Sequence, residues 1–303
     1  MSQSVVTHDY GLGTAYERYH FYRLLDGWAS KYGIETMLEG PVDGMAGVPG
    51  VHGVGLAARG VKVVSVVRSS GQADVSRAIY AGCDAPVDVR VMDDLDALDA
   101  LPSSDLVVAY HAISFVKDWP EYIGRLAKKA KKALVVTVCN PQNWGVTALH
   151  WATRMRGLTG MDAPEEWHTR TLAPVLWQLG QVKEHAYFDC PWWPDVPGIS
   201  PGQTLKNRLA KLITTTKKSD LTFTSSEAGD VLAKKFVYGA GRWPYFGGPG
   251  WDAELSPALK KHPSFETSHD AIRTRTAHLH GFVVDTSPRT PQARKRTLPA
   301  FPG

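Results

Sequence analysis

The sequence contains few cysteines, no long apolar run and no compact set of metal-ligating side chains. Three cysteines in 303 residues are too few and too far apart for a disulfide framework, so we predict buried free thiols. No apolar stretch approaches the roughly 20 residues that cross a bilayer, and the first residues lack the pattern of a signal peptide. We therefore expect a cytoplasmic protein without a transmembrane segment. His278 and His280 have no third partner at a recognised ligand spacing, so we predict no metal site.

Several catalytic motifs are also missing. The chain has no nucleophile elbow, P-loop or Gly-rich kinase loop, so no sequence motif supports a hydrolase or phosphotransferase function. The net charge is only +4, and the basic residues of segment 125–132 are typical of a solvated helix face. We predict a small-molecule substrate and no nucleic-acid partner.

A glycine-rich turn between two apolar strands is the most informative segment that is present. A short strand ends at Glu39, the turn occupies residues 40–47, and a second apolar strand occupies 61–67. Glycines at such a turn let the backbone approach a ligand closely, and a following helix start offers free N–H groups. The pattern favours a nucleotide-like cofactor.

The spacing of the glycines indicates which cofactor. Gly40 and Gly44 are four residues apart, which does not match the Gly-x-Gly-x-x-Gly pattern of dinucleotide-binding folds. Glu39 and Asp43 would repel a pyrophosphate but could accept hydrogen bonds from ammonium and hydroxyl groups. S-adenosylmethionine (SAM), a sulfonium that carries an amino acid, is therefore favoured over NAD.

Strands alternate with helical stretches throughout the first half of the chain. Apolar runs at 88–92, 106–111 and 133–138 are separated by segments with helical spacing, such as 122–132. This alternation is typical of βαβ units. We predict an α/β fold with a doubly wound, mostly parallel sheet and helices on both faces.

Residues 14 to 140 resemble the class I SAM-dependent methyltransferases. The segment 37–47 is similar to their first, cofactor-binding motif, Asp93 with Asp94 to the acidic site after the third strand, and 105–113 to the motif on the fourth strand. The second strand is followed by Arg68 and Ser69, where the family usually has an acid for the ribose. We therefore predict that this ribose contact is missing or replaced.

The resemblance implies a set of site residues. His111 and Tyr110, at the end of the fourth strand, are candidates for positioning the methyl acceptor, although His111 could merely close the strand end. Tyr19, on an aromatic helix before the first strand, could lie at the cofactor mouth or pack on the sheet. The complete set of expected cofactor contacts is Glu39, Gly40, Pro41, Asp43, Gly44, Arg68, Asp93, Asp94 and Tyr19.

The second half of the chain differs in composition. Eight of the ten tryptophans lie between residues 144 and 251, which favours an aromatic cap over an apolar ligand. We divide the chain into a SAM-binding core (1–140), an aromatic-rich cap (141–230), a return to the core sheet with strands at 232–238 and 278–285 (231–285), and a basic, Pro-rich tail (286–303). A basic amphipathic helix at 205–213 is expected to dock on the domain, and peripheral contact with a membrane is the alternative.

Together these features predict a SAM-dependent methyltransferase that acts on a small, at least partly apolar molecule. Two alternatives keep the fold. An NAD(P)-dependent oxidoreductase would replace the cofactor, and an inactive methyltransferase-fold subunit would only bind. The sequence does not indicate the acceptor atom or the oligomeric state.

Overall fold

The computed structural model describes residues 5, 11–41, 47–92, 95–155, 165–193 and 264–287. The predicted contacts Asp43, Gly44, Asp93 and Asp94 lie outside the described residues. So do the predicted helix at 205–213, the predicted strand at 232–238 and the tail from residue 288.

A seven-stranded sheet organises the described part of the chain, in the order β3-β2-β1-β4-β5-β7-β6. β7 is antiparallel to its neighbours β5 and β6, and the other strands run parallel to one another. The doubly wound, mostly parallel sheet predicted from the sequence is thus confirmed. The strands are β1 (Thr36–Glu39), β2 (Lys62–Val67), β3 (Val87–Val91), β4 (Ser104–Tyr110), β5 (Ala130–Cys139), β6 (Gln181–Phe188) and β7 (Leu279–Asp285).

Helices cover both faces of the sheet. Short 3₁₀ turns at Leu95–Ala100, Ala112–Phe115 and Glu165–Trp167 link some of the elements. The helices are α1 (Gly11–Tyr32), α2 (Val54–Ala57), α3 (Ser70–Gly82), α4 (Trp119–Ala127), α5 (Trp144–Met155), α6 (Thr169–Leu179) and α7 (Asp270–Thr276).

The central strands are apolar because both of their faces are buried. Every residue of β4 is buried, as expected for a strand between two helical layers. Alternate residues point to opposite faces: Met37 and Val108 pack in one core beneath α1 and α3, whereas Leu38 and Val107 pack in the other beneath α4 and α6. The two cores hold the sheet between its helices.

Helix α1 packs along one face of the sheet. Phe21 and Leu25 are buried in the core of this face. The far end of α1 is tied to the edge strand β6, because Glu184 accepts hydrogen bonds from the Trp28 indole at 3.0 Å, the Lys31 ammonium at 2.7 Å and the Tyr32 hydroxyl at 2.6 Å.

The late strands correct the predicted domain boundaries. β7 confirms the predicted strand at 278–285, and it pairs with β5 from Ala133 to Cys139. β6, however, falls within the range predicted as a cap, 141–230, and is a strand of the core sheet. Its sequence is Gln-Val-Lys-Glu-His-Ala-Tyr-Phe, and only Phe188 is fully buried. An edge strand of this kind lacks the apolar run by which buried strands are predicted.

Some predicted absences can be examined within the described residues. None of the helices there is long and apolar enough to cross a membrane. The three cysteines are free; Cys139 and Cys190 are buried, whereas Cys83, also predicted to be buried, is half-buried. No group of three metal-ligating side chains that could hold an ion occurs in the described ranges.

Candidate functional site

The candidate site lies at the carboxyl ends of the parallel strands. From β1 the chain continues outward through β2 and β3 on one side and through β4 and β5 on the other, which makes the β1/β4 boundary the switch point of the sheet. Open α/β sheets bind ligands in the crevice at this place. Of the predicted residues, the structure brings Glu39, Gly40, Arg68, Tyr110 and His111 to this edge.

The Glu39 carboxylate, predicted to contact the cofactor, is bonded within the protein. It accepts a hydrogen bond from the backbone N–H of His52 at 3.1 Å and another from the ring Nδ1 of His52 at 2.7 Å. The Glu39 side chain is completely buried. In this conformation the carboxylate faces a protein partner.

Arg18 of α1 reaches His52 from the opposite side. One guanidinium nitrogen lies 2.9 Å from His52 Nε2, and the other donates to the Val48 carbonyl at 2.5 Å. Arginine has only donors, so Nε2 must accept and Nδ1 must carry the proton given to Glu39. The arrangement therefore uses a neutral imidazole between a buried guanidinium and a buried carboxylate.

The β1–α2 loop, residues 47–53, is held from several sides. Ser76 donates to the Pro49 carbonyl at 3.0 Å, Ser65 to the Gly50 carbonyl at 2.8 Å and Tyr22 to the Val51 carbonyl at 2.6 Å. These donors belong to α3, β2 and α1. The loop is thus fixed to three elements of the core.

Glycines near this loop are required by packing within the protein. Gly50 has φ +76°, and a Cβ there would lie 2.5 Å from Val67 Cγ1. At Gly40, whose N–H donates to the Val108 carbonyl at 2.8 Å, a Cβ would lie 3.3 Å from that carbonyl oxygen and from the Tyr122 hydroxyl. The following residue, Pro41, is buried.

Tyr110 is completely buried and bonded to α1. Its hydroxyl donates to the Glu17 carboxylate, and its ring packs against those of Phe21 and His52, with centroids 4.4 Å and 4.1 Å away. Burial and the neighbouring Glu17 raise the pKa of Tyr110 well above its usual value. Burial and the nearby Asp189 raise the pKa of Glu17 to about 8. The pair can hold a proton near neutral pH.

His111 follows β4 in a left-handed conformation with φ 51°. Its backbone N–H donates to the Thr137 carbonyl at 3.2 Å, and its ring Nδ1 lies 3.7 Å from the Cys139 thiol. Burial and the nearby His52 lower the pKa of His111 to about 3, so the imidazole is neutral at physiological pH. These contacts lie at the end of β4.

Tyr19, Arg68 and Ser69 have different surroundings. Tyr19 is half-buried, and its hydroxyl accepts a hydrogen bond from Arg23 at 2.6 Å. Arg68 directly follows β2, at the place predicted for it. Ser69 is the N-cap of α3, where its hydroxyl accepts from the Gln72 N–H at 3.2 Å.

A second group of titratable residues lies where β6 ends and β7 begins. His278 Nδ1 lies 3.1 Å from the buried Asp189 carboxylate, and its Nε2 lies 3.1 Å from the Trp193 carbonyl. Glu266 accepts from the Cys190 N–H at 2.5 Å, and burial raises its pKa to about 7. This group is electrostatically coupled to the Glu17–Tyr110 pair, because the nearby Asp189 raises the pKa of Glu17.

Sequence reasoning missed most of these partners. Arg18 and Glu17 belong to a helix whose aromatic residues are its most evident sequence feature. Asp189 lies beyond the range of the family resemblance. His52 offered the one usable signal, because it is an imidazole inside a glycine-rich segment. His278 and His280 have separate partners: His280 contacts His185 at 2.9 Å and the Trp167 carbonyl at 2.8 Å.

No protein-family model and no curated protein matches the chain. Among solved structures it is similar to magnesium protoporphyrin IX methyltransferase from Synechocystis PCC 6803 with bound S-adenosylhomocysteine (SAH), with 15% identity over 55% of this chain and 75% of that one and a TM-score of 0.44. The plantazolicin methyltransferase in complex with a triazolic desmethylPZN analog and SAH has 8% identity over 91% of this chain and 85% of that one, with a TM-score of 0.42. These likenesses concern the fold alone.

The strand order, with antiparallel β7 inserted between β5 and β6, is that of the class I SAM-dependent methyltransferase fold that residues 14–140 resemble. The carboxyl edge of this sheet contains the switch point, where open α/β sheets bind ligands, and the imidazole of His111 and the phenol of Tyr110 lie there. Both oxygens of the Glu39 carboxylate at this edge already accept hydrogen bonds from His52.

Proposed function

We propose that the chain is a SAM-dependent methyltransferase that acts on a small, at least partly apolar molecule. One observation carries the proposal: the sheet has the order β3-β2-β1-β4-β5-β7-β6, and Tyr110 and His111 follow one another at its switch point. Methyl transfer needs a held cofactor, exclusion of water and an aligned acceptor more than it needs special side chains. A buried, aromatic edge meets those needs.

The cofactor would lie across the carboxyl edge. Gly40, Pro41, Asp43 and Gly44 would hold its methionine end, Arg68 would lie near the ribose, and Asp93 with Asp94 would lie near the adenine. Tyr19 would border the mouth of the site. When bound, SAM supplies a methyl group on a sulfonium centre.

The acceptor would be positioned by residues at the end of β4. Neutral His111 can accept a hydrogen bond, and Tyr110 with Glu17 can hold a proton nearby. Tyr16 and Trp193, whose ring centroids are 5.6 Å apart, are buried aromatic neighbours of the adjoining acidic group. This mixture suits an acceptor with an apolar body and an ionisable group.

We further propose that the protein acts in the cytoplasm on a free small molecule and not on nucleic acid. The modest net charge of +4 supports this, because nucleic-acid binding usually concentrates basic residues along a groove. Peripheral membrane contact through the amphipathic helix that the sequence predicts at 205–213 is compatible with this proposal.

Calorimetry with SAM, SAH and NAD tests the proposal. We expect SAM and SAH to bind and NAD not to bind. Binding of NAD alone would favour an oxidoreductase, and binding of none of the three would favour an inactive subunit. Arg68→Asp is expected to leave SAH affinity unchanged or to tighten it, because it restores an acid near the ribose. Arg90→Asp, on the exposed part of β3, is the matched control.

A further inference from the structure

We propose that Glu39 is a positioning residue and not a contact for the ammonium group of the ligand. In this view Arg18, His52 and Glu39 form one unit, here called the Arg18 unit, that fixes the β1–α2 loop against β1 and α1. The inference rests on the proposed function, because it concerns how the cofactor site is built.

The first argument is that the Glu39 carboxylate is buried and bonded within the protein. One oxygen accepts from the His52 N–H and the other from His52 Nδ1, at 3.1 and 2.7 Å. Both bonds come from one residue, and the Glu39 side chain has no exposed surface. Because the side chain is fully buried, an ammonium group could reach this carboxylate only by moving the residues that enclose it, and His52 is one of them.

Displacing His52 would leave buried polar groups without their partners. Arg18 is completely buried, and one of its nitrogens lies 2.9 Å from His52 Nε2. Removing one member of a buried charged network is strongly destabilising, because it leaves an uncompensated charge in a low-dielectric interior. The Arg18 unit is therefore expected to persist when a ligand binds.

The third argument is the position of the unit along the loop. Side chains of α1, α3 and β2 hold four successive loop carbonyls, those of residues 48 to 51. Glu39 then receives the next backbone N–H, that of His52. Glu39 thus connects the end of β1 to the loop residue that follows these four carbonyls.

A pair of ligands separates this role from direct contact. SAH carries an ammonium group, whereas 5′-methylthioadenosine has the same nucleoside thioether without the amino acid. A direct ammonium contact predicts that Glu39→Gln weakens SAH about tenfold or more and leaves methylthioadenosine unchanged. We expect instead that Glu39→Gln and His52→Ala each weaken both ligands by the same factor, about tenfold.

Further variants sharpen the measurement. The double variant Glu39→Gln/His52→Ala should bind no more weakly than His52→Ala, because residues of one unit are not additive. His52→Gln, which keeps one donor and one acceptor, should recover much of the affinity. Glu184→Gln is the matched control, since this carboxylate also binds α1 donors but lies on β6. It should change neither affinity.

A spectroscopic measurement tests the unit without any ligand. His52 is surrounded by Arg18, Glu39, His111 and the ring of Tyr110. Its ring nitrogen shifts should report a neutral imidazole with the proton on Nδ1, constant between about pH 5 and 8. Arg18→Met should allow the ring to gain a second proton as the pH falls within that range.

The outcomes are distinct. Weakening of SAH alone by Glu39→Gln, no effect on either ligand, or a His52 ring that titrates in the wild type would each overturn the inference. Failure of the wild type to bind SAH and methylthioadenosine would contradict the proposed function, and the nitrogen shifts would then still decide whether the unit exists.

Discussion

Glu17 is a carboxyl group whose surroundings favour its neutral form. Burial and the nearby Asp189 raise its pKa to about 8, above the usual value of 4.5. Between those two pH values the folded protein keeps a proton that the unfolded chain releases, so stability is full below pH 4.5 and falls as the pH rises toward 8. We expect Glu17→Gln to remove this loss, which is less than about 1.4 kcal/mol per pH unit.

Urea unfolding at about pH 5 and 8 measures the effect on Glu17 directly. The wild type should lose more free energy of unfolding between the two pH values than Glu17→Gln does. Glu121→Gln, an exposed carboxylate at the start of α4, is the control and should keep the wild-type slope. An unchanged slope in Glu17→Gln would contradict the raised pKa.

At the scale of elements, the β1–α2 loop is shaped by Gly50. Its φ of +76° is unfavourable for other residues, and a Cβ would lie 2.5 Å from Val67 Cγ1 and 2.6 Å from Ser65 Oγ. Backbone strain costs about 1–2 kcal/mol and overpacking about 1–3 kcal/mol. We expect Gly50→Ala to lower the free energy of unfolding by roughly 2–5 kcal/mol.

Gly60 provides the matched control for Gly50. It also has a positive φ, +92°, but no atom lies within 4 Å of a Cβ placed there. Gly60→Ala should therefore cost only the backbone term, about 1–2 kcal/mol. Thermal or urea unfolding of both variants compares the two positions, and equal losses would show that the close contacts of Gly50 contribute nothing.

The same elements show what the sequence could and could not predict. β4 and β5 are continuous apolar runs because helices cover both of their faces, so their patterns identified them. β6 lies at the sheet edge, where polar residues are tolerated, and its pattern did not distinguish it from a cap. The sheet was predictable where burial is two-sided.

The candidate site was predictable only in its location. The end of each strand could be placed from its apolar run, which put Glu39, Tyr110 and His111 at one edge. Their partners come from elsewhere in the chain: Arg18 lies 34 residues from His52, and Glu17 lies 93 residues from Tyr110. No local spacing encodes such contacts, because the packing of α1 on the sheet creates them.

At the scale of the whole molecule, four buried or half-buried histidines contribute to the acid side of the stability profile. Burial lowers the pKa of His20, His111 and His280 to about 3 and that of His185 to about 4, from a usual value of 6.5. Below pH 6.5 these histidines become protonated in the unfolded chain but stay neutral in the folded protein. Stability therefore falls as the pH falls from 6.5 toward 3 or 4.

Glu17 and Glu266 act in the opposite direction, because their raised pKa values lower stability as the pH rises toward 8 and 7. The described residues therefore predict a maximum of stability near neutral pH. When the pH falls from 6.5 to 5, each histidine is expected to lower the free energy of unfolding by on the order of 1–2 kcal/mol. The histidines outnumber the two carboxyls, so the acid side should be the steeper.

His185 allows this profile to be tested with one substitution. Its ring stacks on that of Phe282, with centroids 4.3 Å apart, so His185→Gln removes one titrating group and some packing. Phe282→Leu disturbs the same stack without removing a titrating group. Unfolding free energies at about pH 5, 6.5 and 8 should show a shallower acid slope for His185→Gln and a lower but parallel profile for Phe282→Leu. If both variants kept the wild-type slope, His185 would not contribute to acid sensitivity, and the balance between buried histidines and carboxyls would not set the optimum.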